Sequence, residues 1–278
     1  MIVTKKFVML NLPKTGTTFT VNILKKLYVQ KKGVKFIEIL NKLGLISPNI
    51  EELILPNLKM PNRLPDKHGT YAQIPKKHLH KPIISIVRNP YSRFLSSYKF
   101  RAWANPKHFE VSKEIIENHF PNFPNLTIDE YVDLNDFAES RRLKKIGIED
   151  VFAIESVGAQ TIQFIQMFFK DPKSALFSIN DEYIHSKEYQ KDMADIKFLT
   201  QENLNQDLII FLKEQGFSER ELEIVNNSKK LNKTKYKTDD VNDLWTEKAL
   251  NYVTYKERYL FMILEDLNIN YTKPLLNK

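Results

Sequence analysis

The stretch "LNLPKTGTTFTVNILKKL" (residues 10–27) sets one lysine, one glycine and a group of threonines between two apolar segments. Read as a strand, a loop and a helix, it aims free backbone N–H groups and the positive end of a helix dipole at one point. Lys14 adds a point charge, Gly16 lets the backbone approach closely, and Thr15, Thr17 and Thr18 surround it with hydroxyls. Such a loop is a cradle for phosphate or sulfate. In a magnesium-nucleotide loop the lysine follows the last glycine and the next hydroxyl binds the metal. Here Lys14 precedes Gly16, so no metal ligand is expected. A second stretch, "VRNPYSRFLSSY" (87–98), puts Arg88 at the end of an apolar run and Ser96 two helical turns into the next segment. An arginine fork with a hydroxyl can clamp a second phosphate.

With these residues in place, the chain resembles the sulfotransferases that use 3′-phosphoadenosine 5′-phosphosulfate (PAPS). In that family a loop similar to "PKTGTT" follows the first strand and holds the 5′-phosphosulfate. A pattern R-[DN]-P-x-x-R-x-x-S-x-Y holds the 3′-phosphate, and "RNPYSRFLSSY" matches it from Arg88 to Tyr98. "QENLNQDL" (201–208) resembles the family's Glu-Asn-Leu strand exit. "KLNKTKYK" (230–237) resembles the late loop that closes over the cofactor, which assigns Lys233 and Thr234 to it. The resemblance spans roughly residues 5 to 265 and is specific at the first two motifs, looser through 36–66 and 105–150. It implies a P-loop-NTPase-like sulfotransferase fold, PAPS as donor with PAP as product, and cofactor contacts at Lys14, Thr15, Gly16, Thr17, Thr18, Arg88, Ser96, Lys233 and Thr234. It also implies Lys14 as the cation on the leaving oxygen. Uronyl 2-O-sulfotransferases, one branch of the family, carry a His-Gly-His-Val-Ser-Tyr segment about twenty residues before the arginine motif. His68, in "DKHGTYAQ", aligns with the second histidine of that segment and becomes the candidate base, although Gly69 after it implies a one-residue gap. Histidine as a residue type suits proton abstraction near neutral pH. Asp66 and Glu155 are reserve bases, and His78 and His80, among Lys76, Lys77 and Lys81, read as a solvated rim. His185 is a loose candidate for acceptor contact.

The elements that must position these residues follow from periodicity. "KKFVMLNL" (5–12) and "KPIISIVRNP" (81–90) are short apolar runs closed by turns, as buried parallel strands are. "DVFAIE" (150–155) and "DIKFLTQENL" (195–204) read as further strands. Helices are expected from Thr17 to Leu27, over 91–100 with Pro90 at the start, over 156–169, over 205–216 ending at Gly216, and over 241–267. Residues 44–66, rich in proline, read as loop, and 105–125, with Pro106, Pro121 and Pro124 around a short helical segment, read as an insertion. Alternating strands and helices predict one α/β domain over 1–278, with three layers and a parallel central sheet. Ligands on such a sheet bind beyond the carboxyl ends of its strands, where both motifs fall.

Composition bounds the rest. The chain has 278 residues, 42% hydrophobic and 27% charged, a balance that fits a folded α/β core. It has no cysteine, which excludes disulfides and cysteine-bound zinc and fits a reducing cytoplasm. No run of roughly 18 apolar residues is present, so no transmembrane helix is expected, and the first residues read as strand rather than signal peptide. The net charge of +8 favours an anionic co-substrate, and an anionic glycan among acceptors. "RRLKK" (141–145) reads as a solvated helix face. Taken together, the expectation is metal-independent in-line sulfuryl transfer from PAPS to a hydroxyl acceptor, a carbohydrate. The alternatives are a nucleotide kinase, disfavoured by the lysine order, and a non-catalytic anion- or nucleic-acid-binding module, which the narrow basic runs with few aromatics disfavour.

Overall fold

The structure is a computed structural model that describes residues 1–29, 49–57, 64–105, 112–145, 156–228 and 244–276. In chain order the elements are β1 (Ile2–Thr4), β2 (Val8–Leu10), α1 (Thr17–Val29), β3 (Ile50–Glu52), β4 (Ile83–Val87), α2 (Pro90–Phe100), α3 (Lys113–His119) and α4 (Ile128–Lys145). There follow α5 (Ala159–Phe168), α6 (Pro172–Ser178), α7 (Asp181–His185), α8 (Tyr189–Asp192), β5 (Lys197–Thr200), α9 (Leu204–Glu214), α10 (Glu219–Asn226), α11 (Glu247–Lys256) and α12 (Arg258–Asp266). They fall into two compact units, Met1–Arg88 with Asp195–Lys233, and Asn89–Ala194 with Thr234–Lys278.

The first unit is built on a five-stranded sheet of order β3-β1-β2-β4-β5. β2, β4 and β5 are parallel, with Met9 opposite Ile84 and Ile86 opposite Leu199. β1 runs antiparallel to both β2 and β3. The expected parallel-only sheet is therefore corrected to a mixed one. The reason lies in a local turn. Thr4 Oγ1 accepts from the N–H groups of Lys6 (3.1 Å) and Phe7 (2.9 Å), and the Thr4 N–H donates to the Phe7 carbonyl at 2.9 Å. This side-chain-to-backbone turn folds the opening residues, read as one strand, into a hairpin. β3 is a short edge strand inside a region expected to be loop.

Strand residues on both faces of the parallel core are buried, which explains why Ile83–Val87 reads as an unbroken apolar run apart from Ser85. On one face Phe7, Met9, Ile84, Ile86 and Leu199 pack with Phe19, Ile23, Leu24 and Leu27 of α1, with Leu208, Phe211 and Leu212 of α9, and with Leu222 and Val225 of α10. A fully buried side chain of this size contributes about 1.5–3 kcal/mol. The cluster therefore ties the loop before α1 to the strand that carries Arg88.

The second unit is helical. Tyr91, Phe94 and Leu95 of α2 pack with Tyr131 and Val132 of α4 and with Trp245, Leu250 and Val253 at and in α11. Pro90 opens α2 as expected, behind Asn89, whose side chain accepts from the Tyr91 N–H at 2.9 Å. The long final helix expected over 241–267 is two helices, broken at Glu257. Glu257 is buried, and its carboxylate accepts from the N–H groups of Gln160 (3.1 Å) and Thr161 (2.8 Å) and from Thr161 Oγ1 (2.7 Å). A distant glutamate thus caps the N-terminus of α5, and the break in the last helix delivers it there. Burial raises the Glu257 carboxyl above its ordinary range, and those donors with nearby Arg93 pull it back. The strand expected over 150–155 lies outside the described residues.

Gly158 precedes α5 at the foot of this cap. A Cβ there would stand 2.3 Å from Glu257 Oε1 and 2.9 Å from Lys256 Cβ. Gly158→Ala must expel a carboxylate held by three donors, so it is expected to lower the unfolding free energy by about 2 kcal/mol or more. Urea unfolding of the two proteins measures this, and equal midpoints would show that the cap yields without cost.

Candidate active site

The site lies within the first unit, at the carboxyl ends of β2, β4 and β5. Residues 11–16 leave β2 and enter α1. Lys14 and Gly16 both take left-handed backbone angles, φ 66° and φ 89°. A lysine carries that conformation at a cost, and such strain marks functional loops. At Gly16 the φ favours glycine, and a Cβ would press on Leu204 Cδ2 at 3.2 Å and on Gln201 Cγ at 3.4 Å. The "QENL" segment after β5 thus packs directly on the loop glycine. The Gly16 carbonyl accepts from Phe19 (3.0 Å) and starts the helix, and the N–H groups of Thr17 and Thr18 at its first positions lack intrahelical acceptors. Thr15 turns inward, fully buried, and its hydroxyl donates to the Leu12 carbonyl at 2.8 Å. Its side chain braces the loop, so what it offers an anion is its backbone N–H. The Thr17 side chain is buried and Thr18 is exposed.

Arg88 follows β4 directly, and its Nη1 donates to the Lys14 carbonyl at 3.3 Å. The structure therefore brings together two cations that lie 74 residues apart in the chain. Burial, and after it the Arg88 charge, lowers Lys14 from about 10.5 to about 8. A lysine depressed in this way costs stability while it stays protonated, and the cost is relieved above pH 8 or by an anion between the cations.

His68 docks on the start of the same loop. Its Nδ1 lies 2.6 Å from the Asn11 carbonyl. A carbonyl can only accept, so Nδ1 carries the proton of the neutral ring and Nε2 is the basic nitrogen. The His68 N–H donates to Asp66 Oδ1 at 2.6 Å, and Asn57 Nδ2 donates to Asp66 Oδ2 at 2.9 Å. Asp66, a reserve base by sequence, is thereby occupied in shaping the turn. Gly69 leaves no room for a side chain, since a Cβ would lie 2.6 Å from Leu55 Cδ1 and 2.7 Å from Met1 Cε. At the glycine that shifts this segment from the uronyl pattern, a side chain would have to displace the ends of Leu55 and Met1.

The remaining candidates are placed as follows. Ser96 lies in the second turn of α2, in the other unit. Arg93, the second arginine of the motif, is buried there and donates to the side-chain oxygens of Gln160 and Gln163 on α5. It serves the fold of that unit. Lys233, Thr234 and Glu155 lie outside the described residues. His78 and His80 precede β4, at the amino end of the strand and away from the loop, and burial with Lys81 and Lys77 pushes His78 down. The ring of His185 donates to the Asp181 carbonyl within α7 at 2.6 Å. Among the described residues no group of three acidic or imidazole side chains is placed to hold a metal ion. Asn11 escaped the sequence reading, and its only signal was a polar residue interrupting the apolar run "VMLNL".

The depressed Lys14 gives the loop a pH signature. Below about pH 8 it is charged and attracts an anion. Above that, binding must first restore its proton. Affinity for inorganic pyrophosphate is expected to fall by up to tenfold per pH unit above about 8, with net proton uptake on binding at pH 8.5–9. Calorimetry in two buffers of different ionisation enthalpy reads the uptake. Lys14→Met should abolish it, and an uptake unchanged in that variant would move the linkage to another group.

No curated protein and no solved structure matches the chain. The sequence profile of the Sulfotransferase family matches residues 1–268, which include the loop, the arginine motif and the histidine segment. A strand-to-helix loop that carries Lys14 without a metal-ligand order, Arg88 donating to its backbone and a histidine seated on its start agree with that match, and the chain belongs to the sulfotransferase family.

Proposed function

We propose that this sulfotransferase takes its sulfuryl group from PAPS and passes it to a carbohydrate hydroxyl without a metal ion. The observation that carries the reading is the pairing of Lys14 and Arg88 beside a loop that also seats His68. PAPS fits the residues present. Burial and, after it, the Arg88 charge lower Lys14, and an anion between the two cations would offset both. The N–H groups at the start of α1 provide donors in the same place. When bound, PAPS supplies a sulfuryl group joined to a phosphate that can leave.

The chain's own residues then have three tasks. Lys14 and the N–H groups of residues 15–18 hold the negative charge that grows on the leaving phosphate oxygen, as preorganised donors do elsewhere. The loop and Arg88 fix the donor, so the reaction gains from positioning as phosphoryl transfer does. His68 accepts the proton of the attacking hydroxyl at Nε2. A transferred sulfuryl group carries less charge than a phosphoryl group, which lessens the need for a metal clamp. The assignment of Arg88 and Ser96 to the 3′-phosphate, and of Lys233 and Thr234 to cofactor closure, rests on the family pattern. The carbohydrate acceptor rests on the likeness of the His68 segment to uronyl 2-O-sulfotransferases and on the net charge of +8.

Two measurements test the reading. PAP should raise the unfolding temperature well beyond AMP, because a ligand at about 100 times its Kd adds roughly 2.7 kcal/mol. Ser96→Ala should narrow the gap. Equal shifts from PAP and AMP in the parental protein would remove the 3′-phosphate site. His68→Ala should lower kcat by about 10²–10⁴-fold with saccharide and other alkyl alcohols, and less with phenols that ionise unaided. Its PAP affinity should stay near parental. Transfer to an alkyl alcohol at the parental rate would place the base elsewhere.

A further inference from the structure

His68 is held at two points that meet in one residue, Asn11. The Asn11 carbonyl receives the ring proton of His68 at 2.6 Å. The Asn11 side chain donates from Nδ2 to the carbonyl of Lys67, the residue before, at 3.2 Å. Asn11 is fully buried, and its Oδ1 has no hydrogen-bond donor. A buried amide with an unmatched oxygen is a poor choice for stability, and an apolar residue of similar volume would leave no such orphan. The side chain is therefore explained by what its amide holds. With the Met1 ammonium, which donates to the same Lys67 carbonyl at 2.5 Å, it pins the backbone immediately before His68, and it alone ties that backbone to the strand end whose own carbonyl receives the ring proton. From the other side, Asp66 Oδ1 holds the His68 N–H at 2.6 Å. Asn11 is also three residues before Lys14, so one loop sets both the cation and the imidazole.

We propose that Asn11 is a positioning residue, whose amide keeps His68 as the Nδ1–H tautomer with Nε2 as the proton acceptor. This rests on the reading of His68 as the base only for its catalytic consequence. The tautomer itself is a property of the protein without any substrate. With a substrate, the hydroxyl proton of the acceptor passes to Nε2 and from there to solvent. A free imidazole prefers the proton on Nε2, which would present the acceptor with a donor and no base, so loss of the clamp should cost turnover without costing donor affinity.

The test has a spectroscopic arm and a kinetic arm. Long-range ¹H–¹⁵N spectra of the histidine rings, with His68 assigned by its absence in His68→Ala, report which nitrogen carries the proton. The full-length parental protein should show His68 as the Nδ1–H form. Asn11→Ala and the isosteric Asn11→Asp, which lacks the amide donor, should both shift it to the Nε2–H form or to a mixture, with PAP affinity within about twofold of parental. Persistence of the Nδ1–H form in a folded variant overturns the proposal, and Asn11→Asp decides it where Asn11→Ala does not fold. In the kinetic arm, the saccharide alcohol that supports turnover is assayed in a double-mutant cycle. Asn11→Ala should lower kcat about tenfold in the parental protein and less than twofold in His68→Ala. Equal losses in both backgrounds overturn the action through His68. A parental rate in His68→Ala instead sinks the base reading while leaving the tautomer result to stand or fall alone.

Discussion

The contact between Arg88 and the backbone of Lys14 is the constraint on which the site depends. It joins the carboxyl ends of two neighbouring parallel strands, and only parallel strands bring the loop after one and the residue after the other to the same edge. The arginine is directed at a carbonyl, so its contact is favourable even though its charge is set against the lysine. The residual repulsion, added to burial, appears in the lowered Lys14. The fold tolerates a local electrostatic cost because the apolar cluster beneath, from Phe7 and Met9 to Ile84 and Leu199, holds the strands together regardless of what the loop carries.

A second consequence concerns how the loop is divided between bracing and binding. Thr15 spends its hydroxyl on the Leu12 carbonyl, and Gly16 spends its missing side chain on the approach of Gln201 and Leu204. For the donor proposed above that leaves the backbone N–H groups at the start of α1, the lysine and the exposed Thr18. Rigid backbone donors need no reorganisation when charge moves, whereas hydroxyls on free rotors do. The same economy appears at His68, whose ring proton is received by the Asn11 main-chain carbonyl.

The helical unit shows how a motif residue can serve the fold. Arg88 and Arg93 sit five residues apart in one pattern, yet Arg93 is buried against Gln160 and Gln163 of α5, close to the Glu257 carboxylate that caps that helix. A buried arginine and a buried glutamate are each expensive alone. Here the donors at the start of α5 and the two glutamines share them out, which fixes how α2, α5 and the break before α12 fit together.

The amino-acid sequence by itself determined the parts that depend on neighbours along the chain. The loop between β2 and α1, Pro90 at the start of α2, and the buried run of β4 were legible because turn chemistry and periodicity are local. The family, too, was legible from the lysine order of "PKTGTT" and the spacing of "RNPYSRFLSSY". The tertiary structure decided what depends on residues distant in sequence. The antiparallel β1 turned on one threonine hydroxyl. The break at Glu257 was invisible because the groups it caps lie 96 and 97 residues away, and a helical pattern cannot register a remote partner. The same holds for His68: its residue type made it a candidate, but the identity of its basic nitrogen required Asn11, 57 residues earlier, to be folded against it. Hydrogen bonds of that reach leave no period in a sequence, because they are set by where strands end in space.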